Sequence, residues 1–426
     1  MNPIFQINDF IQAESCNHTA AFQRAFDLCR NEGGTIVVPK GEYYIASVEL
    51  FSNTTLYLER GAILYGIQDS SLYRKSYEIT EETFMHQALF ICGNAENIKI
   101  CGEGCIDGRG DKEHFPPQGL TPSKQSSYRP KLFSFYCCQN VILENITLKN
   151  PAGWGLLFQY CDDLRFHALT LSFLSNFNND GFDLDACHNV FISNCTISTG
   201  DDAICPKCTH PRGCKNIVVS DCIIQSNTAG FKLGTSSYGN YENILVNNCI
   251  FRDCKLGTIK LTNVDGGQMK NIRFNNLIFD QCEGPIFIRL GQRDLLYGHQ
   301  KQTTPPCIQN VHFSNISGTV ASTDFSRHGI LITGTPKRHV SNISFSHIDI
   351  SFPGGSTYNY PDIPEDETRY PEQFFFGELP ASTLYARHAD EIDFHNVKFT
   401  VREKDIRPPI VTVDCVECQT EEIVIR

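Results

Sequence analysis

Residues 187–197 read C-H-N-V-F-I-S-N-C-T-I, and residues 214–224 read C-K-N-I-V-V-S-D-C-I-I. Each is an Asn followed by two short alternating runs rich in β-branched residues, parted by a polar pair. Working outward, the same pattern recurs in C-C-Q-N-V-I-L-E-N-I-T-L from Cys137, Y-E-N-I-L-V-N-N-C-I-F from Tyr241 and M-K-N-I-R-F-N-N-L-I-F from Met269. Weaker copies begin near Asn97, Asp163, Asn310, Asn342 and Glu391. In the centre the marker falls at 140, 163, 189, 216, 243 and 271, in steps of 23, 26, 27, 27 and 28.

Self-similarity at such a period with strand-like content signals a solenoid. Three strands of about five residues each, with their turns, fill one step. The chain therefore reads as all-β, a single right-handed parallel β-helix over residues 1–426. A propeller blade needs roughly 40 residues and does not fit.

Equivalent positions of a β-helix stack about 4.8 Å apart. Cys195, Cys222 and Cys249 are then expected to point inward as small hydrophobes. The Asn markers are expected to form a turn ladder whose side chains bond the backbone of the corners. The same pattern accounts for N-I-T at Asn145 and N-C-T at Asn194 without glycans.

An open coil exposes unpaired backbone. Residues 18–31, with Phe22, Phe26 and Cys29 at helical spacing, fit an amphipathic capping helix that Gly33 and Gly34 stop. From 351 to 382 the repeat lapses into a Pro-, Gly- and aromatic-rich segment, expected to be a wall or lid beside a cleft.

The chain has 36 Lys and Arg against 48 Asp and Glu, a net charge of −12. That balance argues against nucleic acid as a partner. No apolar run approaches the roughly 18 residues of a membrane span, and no basic segment leads into an apolar one near the first residue. With twenty cysteines read as thiols, a cytoplasmic protein is expected; a mature secreted fragment would look the same. Oligomeric state is not legible.

Two acidic motifs interrupt the apolar runs: N-N-D-G-F-D at 178–183 and T-G-D-D-A at 199–203. Consecutive residues of a strand face opposite ways, so two working aspartates in sequence require a bend, which Gly200 is expected to supply. Asp180, Asp201 and Asp202 then crowd over two coils, and repulsion should raise at least one pKa. A protonated and an ionised carboxyl together are what glycoside cleavage uses. Taken singly, Asp-Gly and Gly-Asp-Asp are ordinary turn chemistry.

Counted from the markers, Asp180 lies 17 after Asp163, Lys232 16 after Asn216, Lys260 17 after Asn243 and Arg289 18 after Asn271. These are expected to form one column, its cations suiting an anionic sugar. Arg293, Asn178 and Trp154 join the candidates for substrate contact, with His299, Tyr297 and Tyr358 as weaker ones from loops. The pairs Cys205/Cys208 and Cys415/Cys418 lie too far apart in sequence to make a four-ligand zinc site. Three aspartates could hold calcium, but the chemistry requires no metal or other cofactor.

The chain resembles glycoside hydrolase family 28, the polygalacturonase family, in A-F-Q-R-A-F-D-L-C (21–29), G-G-T-I-V-V-P-K-G-E-Y (33–43), N-P-A-G-W (150–154), N-N-D-G-F-D and G-D-D-A-I. The resemblance implies an inverting hydrolase with Asp201 as general acid and with Asp180 and Asp202 holding and deprotonating water. Two family motifs are altered. Ala229 stands where the family has a histidine, and Thr258-Ile259-Lys260 keeps the lysine of an R-I-K element but not its arginine. Lys232, Arg289 and Arg293 are expected substitutes. The expected activity is exo-cleavage of pectin-derived or other acidic oligosaccharides. The alternatives are a uronate lyase or epimerase using Lys232 or Lys260 as base, and an inactive carbohydrate-binding β-helix.

Overall fold

A computed structural model describes residues 3–12, 16–77, 85–117, 128–322, 324–358 and 362–426. The expected lid segment thus lies outside the described residues at 359–361. The chain falls into two compact units, one ending at Asp201 and the other beginning at Asp202.

Within the first unit, strands add in parallel from coil to coil. Glu96–Gly102 pairs with Gln139–Glu144, that with Asp162–His167, and that with His188–Ser193. A second column runs through Cys105–Asp107, Thr147–Lys149, Thr170–Phe173 and Thr196–Thr199. A third runs through Ala88–Gly93, Lys131–Tyr136, Leu156–Gln159 and Phe182–Asp185. The second unit repeats this in itself: Ala229–Leu233, Gly257–Asn263, Ile286–Leu290, Ile330–Thr333, Leu384–Arg387 and Ile410–Val413 pair in succession. Each unit is thus a stack of parallel β-helix coils, as the period demands.

The Asn markers set the bend between strands. Asn97, Asn140, Asn189, Asn216, Asn243 and Asn271 all have φ between 53° and 58°, a left-handed conformation that Asn tolerates better than most residues. Their side chains bond one another up the stack rather than the corner backbone: Asn140 Nδ2 donates to Asn97 Oδ1 (2.8 Å), Asn243 to Asn216 (3.0 Å) and Asn271 to Asn243 (3.2 Å). The reason is geometric. A left-handed residue at the same place in each coil sets one amide above another at the strand spacing, each offering a donor and an acceptor.

Inside, equal positions stack as well. In the second unit Phe274, Phe313, Phe345 and Phe394 form a column with ring centroids 5.0 to 5.1 Å apart and planes within 10°. Cys195, Cys222 and Cys249 are all buried, as their spacing implied. The helix Thr19–Glu32 buries Ala21, Phe22, Ala25, Phe26 and Cys29 and ends at Gly33, whose φ of 70° suits glycine.

Because each coil contacts only its neighbours, damage should stay local. Phe313→Ala is expected to cost the second unit about 3–5 kcal/mol, with Phe313→Leu recovering most of it. Denaturation followed by hydrogen exchange at the flanking coils tests this, and unaltered protection there would contradict it.

Candidate active site

In the first unit the turn before Asp180 is wired by asparagines. Asn179 Nδ2 donates to the carbonyls of Pro151 (3.0 Å) and Gly153 (2.8 Å), and its Oδ1 accepts from the Asn176 amide (2.7 Å). Asn176 in turn ties to the Gly110 and Phe115 carbonyls. The Gly155 amide donates to Asp180 O (2.9 Å). The two asparagine amides thus hold backbone that would otherwise be unsatisfied and fix the path of the chain up to Asp180.

Asp201 is brought to the same place by its own backbone. Its amide donates to Asn179 O (3.3 Å), Gly200 N–H to Phe173 O (2.7 Å), and Thr199 Oγ1 to Asp201 O (2.6 Å). These bonds make the bend. Gly200 does not make it through glycine's freedom: it has no positive φ, and an added Cβ would meet its nearest neighbour at 3.4 Å. The Asp180 and Asp201 carboxylates lie within 4.8 Å of each other, Asp180 buried and Asp201 half-buried. Asn178, at φ 52°, accepts from Arg129 (2.9 Å) and reaches Asp201 Oδ2 with its amide (3.4 Å).

Arg129 is the cation that sequence reasoning missed. It is buried, donates to Phe177 O (2.7 Å), and faces the charges of Asp180 and Asp201. It stands in Y-R-P, outside every repeat, so no periodicity marks it. Trp154, by contrast, is 6% exposed and packs with Met85 and Leu157; it is a packing residue with no face to offer a sugar.

In the second unit Asp202 is bonded at both oxygens. Oδ1 accepts from Thr228 Oγ1 (2.9 Å) and the Ala229 amide (3.2 Å), and Oδ2 from Lys232 Nζ (2.8 Å). At Ala229 it is thus a backbone N–H, and not a side chain, that bonds the carboxylate. Burial opposes the charge of Asp202, but Lys232, Lys260 and Lys207 outweigh it and hold the carboxyl well below the usual carboxylate range. Asp202 is thus not the carboxyl that crowding raises. Burial likewise opposes the Lys232 charge, and Asp202, Tyr370 and Glu372 overcome it, so its ammonium is held well above its ordinary pKa.

Lys232 and Lys260 stand in register on adjacent strands. The column expected from counting does not extend to Arg289: Phe287 aligns with Lys260, and Arg289 with Thr262. The extra residue in each step lies partly in the turns, so a count from the marker drifts off register. Arg289 is buried and donates to Thr333 Oγ1, to the Gly334 carbonyl and to the carbonyls of Glu365 and Asp366. Arg293 is held by both oxygens of Asp265, which also takes the Tyr297 hydroxyl. Both arginines are structural clamps here and not anion receptors. His299 stacks on Tyr238, while Tyr358 is exposed. Thr258, at the lost arginine, donates to Glu283 O (3.1 Å).

The segment from 362 to 382 supplies two residues that motif reading did not name. Glu372 pairs with Lys260 (2.5 Å) and lies 3.8 Å from Lys232, and Tyr370 Oη is 3.1 Å from Lys232 Nζ. Phe376, Leu379 and Ala381 anchor this segment in an apolar cluster with Phe287, Leu331 and Tyr385. A protonated, ion-paired Lys232 is the wrong state for a base, so this residue lends no support to the lyase alternative.

Removing one partner of a buried ion pair costs about 3–5 kcal/mol, so Lys232→Met should destabilise the second unit by that order. The sign with pH follows from Asp202. A carboxyl held below its unfolded value of roughly 4 stabilises above that pH and loses the contribution as pH falls through the folded value. Urea midpoints from about pH 5 down to pH 2 should therefore fall for the native chain, and Lys232→Met, which removes the main cause of the depression, should flatten that limb. A limb of unchanged slope would count against the pairing.

A profile described as glycosyl hydrolases family 28 matches residues 32–368. The exo-poly-alpha-D-galacturonosidase of Dickeya chrysanthemi is 24% identical over 233 residues, 44% of this chain and 38% of that protein. A polygalacturonase of Malus domestica is 25% identical over 333 residues, 75% of this chain and 69% of its own. The solved family 28 exopolygalacturonase of Yersinia enterocolitica covers 98% of this chain and 78% of its own at 18% identity, with a TM-score of 0.74. That likeness shows the fold, a right-handed parallel β-helix.

Proposed function

Since the chain belongs to glycosyl hydrolase family 28 and is a glycoside hydrolase acting on carbohydrate, we propose that it is an inverting, exo-acting enzyme of acidic oligosaccharides related to pectin. Asp201 is the general acid, and Asp180 with Asp202 position and deprotonate the attacking water. Asn178 and Arg129 orient the acid side of the site.

The observation that carries this reading is the buried ion pair of Asp202, whose Oδ2 accepts from Lys232 Nζ at 2.8 Å. With its charge held by Lys232, Lys260 and Lys207, Asp202 can accept a proton or orient water but is unsuited to donate one, which leaves the acid role to another carboxyl. Asp201 is the more exposed member of the other pair, where a leaving-group oxygen can reach it. Division of labour between carboxyls in unlike surroundings is the physical basis of acid and base roles at one pH. Attack by water without a covalent intermediate inverts the anomeric centre.

An acidic substrate is supported by the three lysines, Lys207, Lys232 and Lys260, whose positive charges act on Asp202. Exo action is supported by the segment carrying Tyr370 and Glu372, which occupies the lysine pair with protein where an endo-acting enzyme needs an open run of subsites.

Oligogalacturonides are the first substrates to try. Asp201→Asn should lower kcat by at least about 10³-fold, in line with loss of acid catalysis, with the fold unchanged. NMR of the first product should show the inverted anomer, and mass analysis should show a single short product from the outset. Full activity in Asp201→Asn would overturn the acid assignment. A retained anomer would overturn inversion, and an early ladder of products would overturn exo action.

A further inference from the structure

At the corner between two strand columns near the C-terminus, three successive coils each place one metal-ligating side chain at an equivalent position. Val340 pairs with Ala389, setting His339 beside His388, and Arg387 pairs with Val413, setting His388 beside Asp414. Donor atoms of His339, His388 and Asp414 lie within 4.8 Å of one another. We propose that these three residues bind a divalent transition cation of the zinc class, which staples the last three coils together. The site is separate from the aspartates described above and does not rest on the glycosidase reading.

The contacts around the rings require a positive species. His388 Nδ1 is 2.7 Å from Asp414 Oδ2, and its Nε2 is 3.2 Å from Glu365 Oε1. His339 Nδ1 is 2.9 Å from Asp390 Oδ2, and its Nε2 is 3.4 Å from the same Asp414 oxygen. Both rings therefore face carboxylate at both nitrogens. A neutral imidazole has one N–H, so one contact of each ring would set lone pair against lone pair. A cation bound by His339 Nε2, His388 Nδ1 and Asp414 Oδ2 removes that conflict. The remaining N–H groups then go to Asp390 and Glu365, the carboxylate–histidine–metal arrangement that fixes ligand tautomers.

Distance and charge agree. Tetrahedral bonds of about 2.0–2.1 Å set donor atoms roughly 3.3 Å apart, and the two measured separations, 2.7 and 3.4 Å, fall on either side. Two imidazoles with one carboxylate select zinc-like ions over calcium or magnesium, which take oxygen ligands. Glu365, Asp390 and Asp414 carry three negative charges, and Arg387, 3.0 Å from Glu365, carries one positive charge. Two negative charges remain for a divalent ion. His388 is buried, while the His339 and Asp414 side chains are 26% and 55% exposed, giving an entry path and room for a water as fourth ligand. Cys415 is not a ligand: its thiol turns to Ala386 O (3.5 Å).

The full chain, freed of any histidine tag and treated with a chelator, is titrated with Co²⁺ and then Zn²⁺ near neutral pH. Intense visible d–d bands from about one equivalent of Co²⁺, displaced by Zn²⁺, are expected, with a rise in melting temperature on adding zinc. Asp414→Asn and His339→Gln, both at partly exposed side chains, should weaken binding by more than about tenfold, and Glu365→Gln by about tenfold through His388. Native-like circular dichroism in each variant separates lost binding from lost fold. Absence of the bands, or equal affinity in Asp414→Asn and the native chain, overturns the site. So does a melting temperature that rises on acidification but ignores zinc, since the cluster would then be held by protons alone.

Discussion

Everything in this protein depends on each coil landing in register on the one before it. Backbone hydrogen bonds between parallel strands set the spacing, but they do not choose the register; a slip by one residue would turn every inward side chain outward. The left-handed Asn at the head of each repeat and its side-chain bond to the next Asn supply that choice. The phenylalanine column reinforces it from inside, since rings stack only when their strands are aligned.

Register is also what makes chemistry available. Identical positions on successive coils are forced close together, so any charged residue inherits close neighbours. Lys232 and Lys260 are adjacent for this reason, and they would repel each other if Asp202 and Glu372 were not inserted beside them. The outcome is a carboxylate kept ionised in a buried setting, which is expensive unless paired. The same stacking places two imidazoles and the carboxylates of Asp390 and Asp414 together at a corner of the C-terminal coils.

Much of this was legible in the sequence because a repeat reports itself. The parallel coils, the capping helix with Phe22, Phe26 and Cys29 inside, and the buried thiols follow from spacing alone. Arg289 shows where counting fails. Residue numbers from a marker include turn residues, and one added in a turn shifts the strand face without leaving a sign, so Arg289 aligned with Thr262 and its guanidinium went to backbone carbonyls. Arg129, Tyr370 and Glu372 lie outside the repeat, where no period applies.

By itself the sequence determined the class of structure and marked three aspartates as candidates, since strand period, turn chemistry and the acidic motifs are all local patterns. Only the tertiary structure decided what surrounds the aspartates. Whether a lysine faces a ligand or a carboxylate, and whether a tryptophan is a platform or packing, depends on residues distant in sequence, as Lys232 with Tyr370 and Trp154 with Met85 show. Such contacts are chosen by the coil register and by the loop's apolar anchors acting together, and neither leaves a mark on a single stretch of chain.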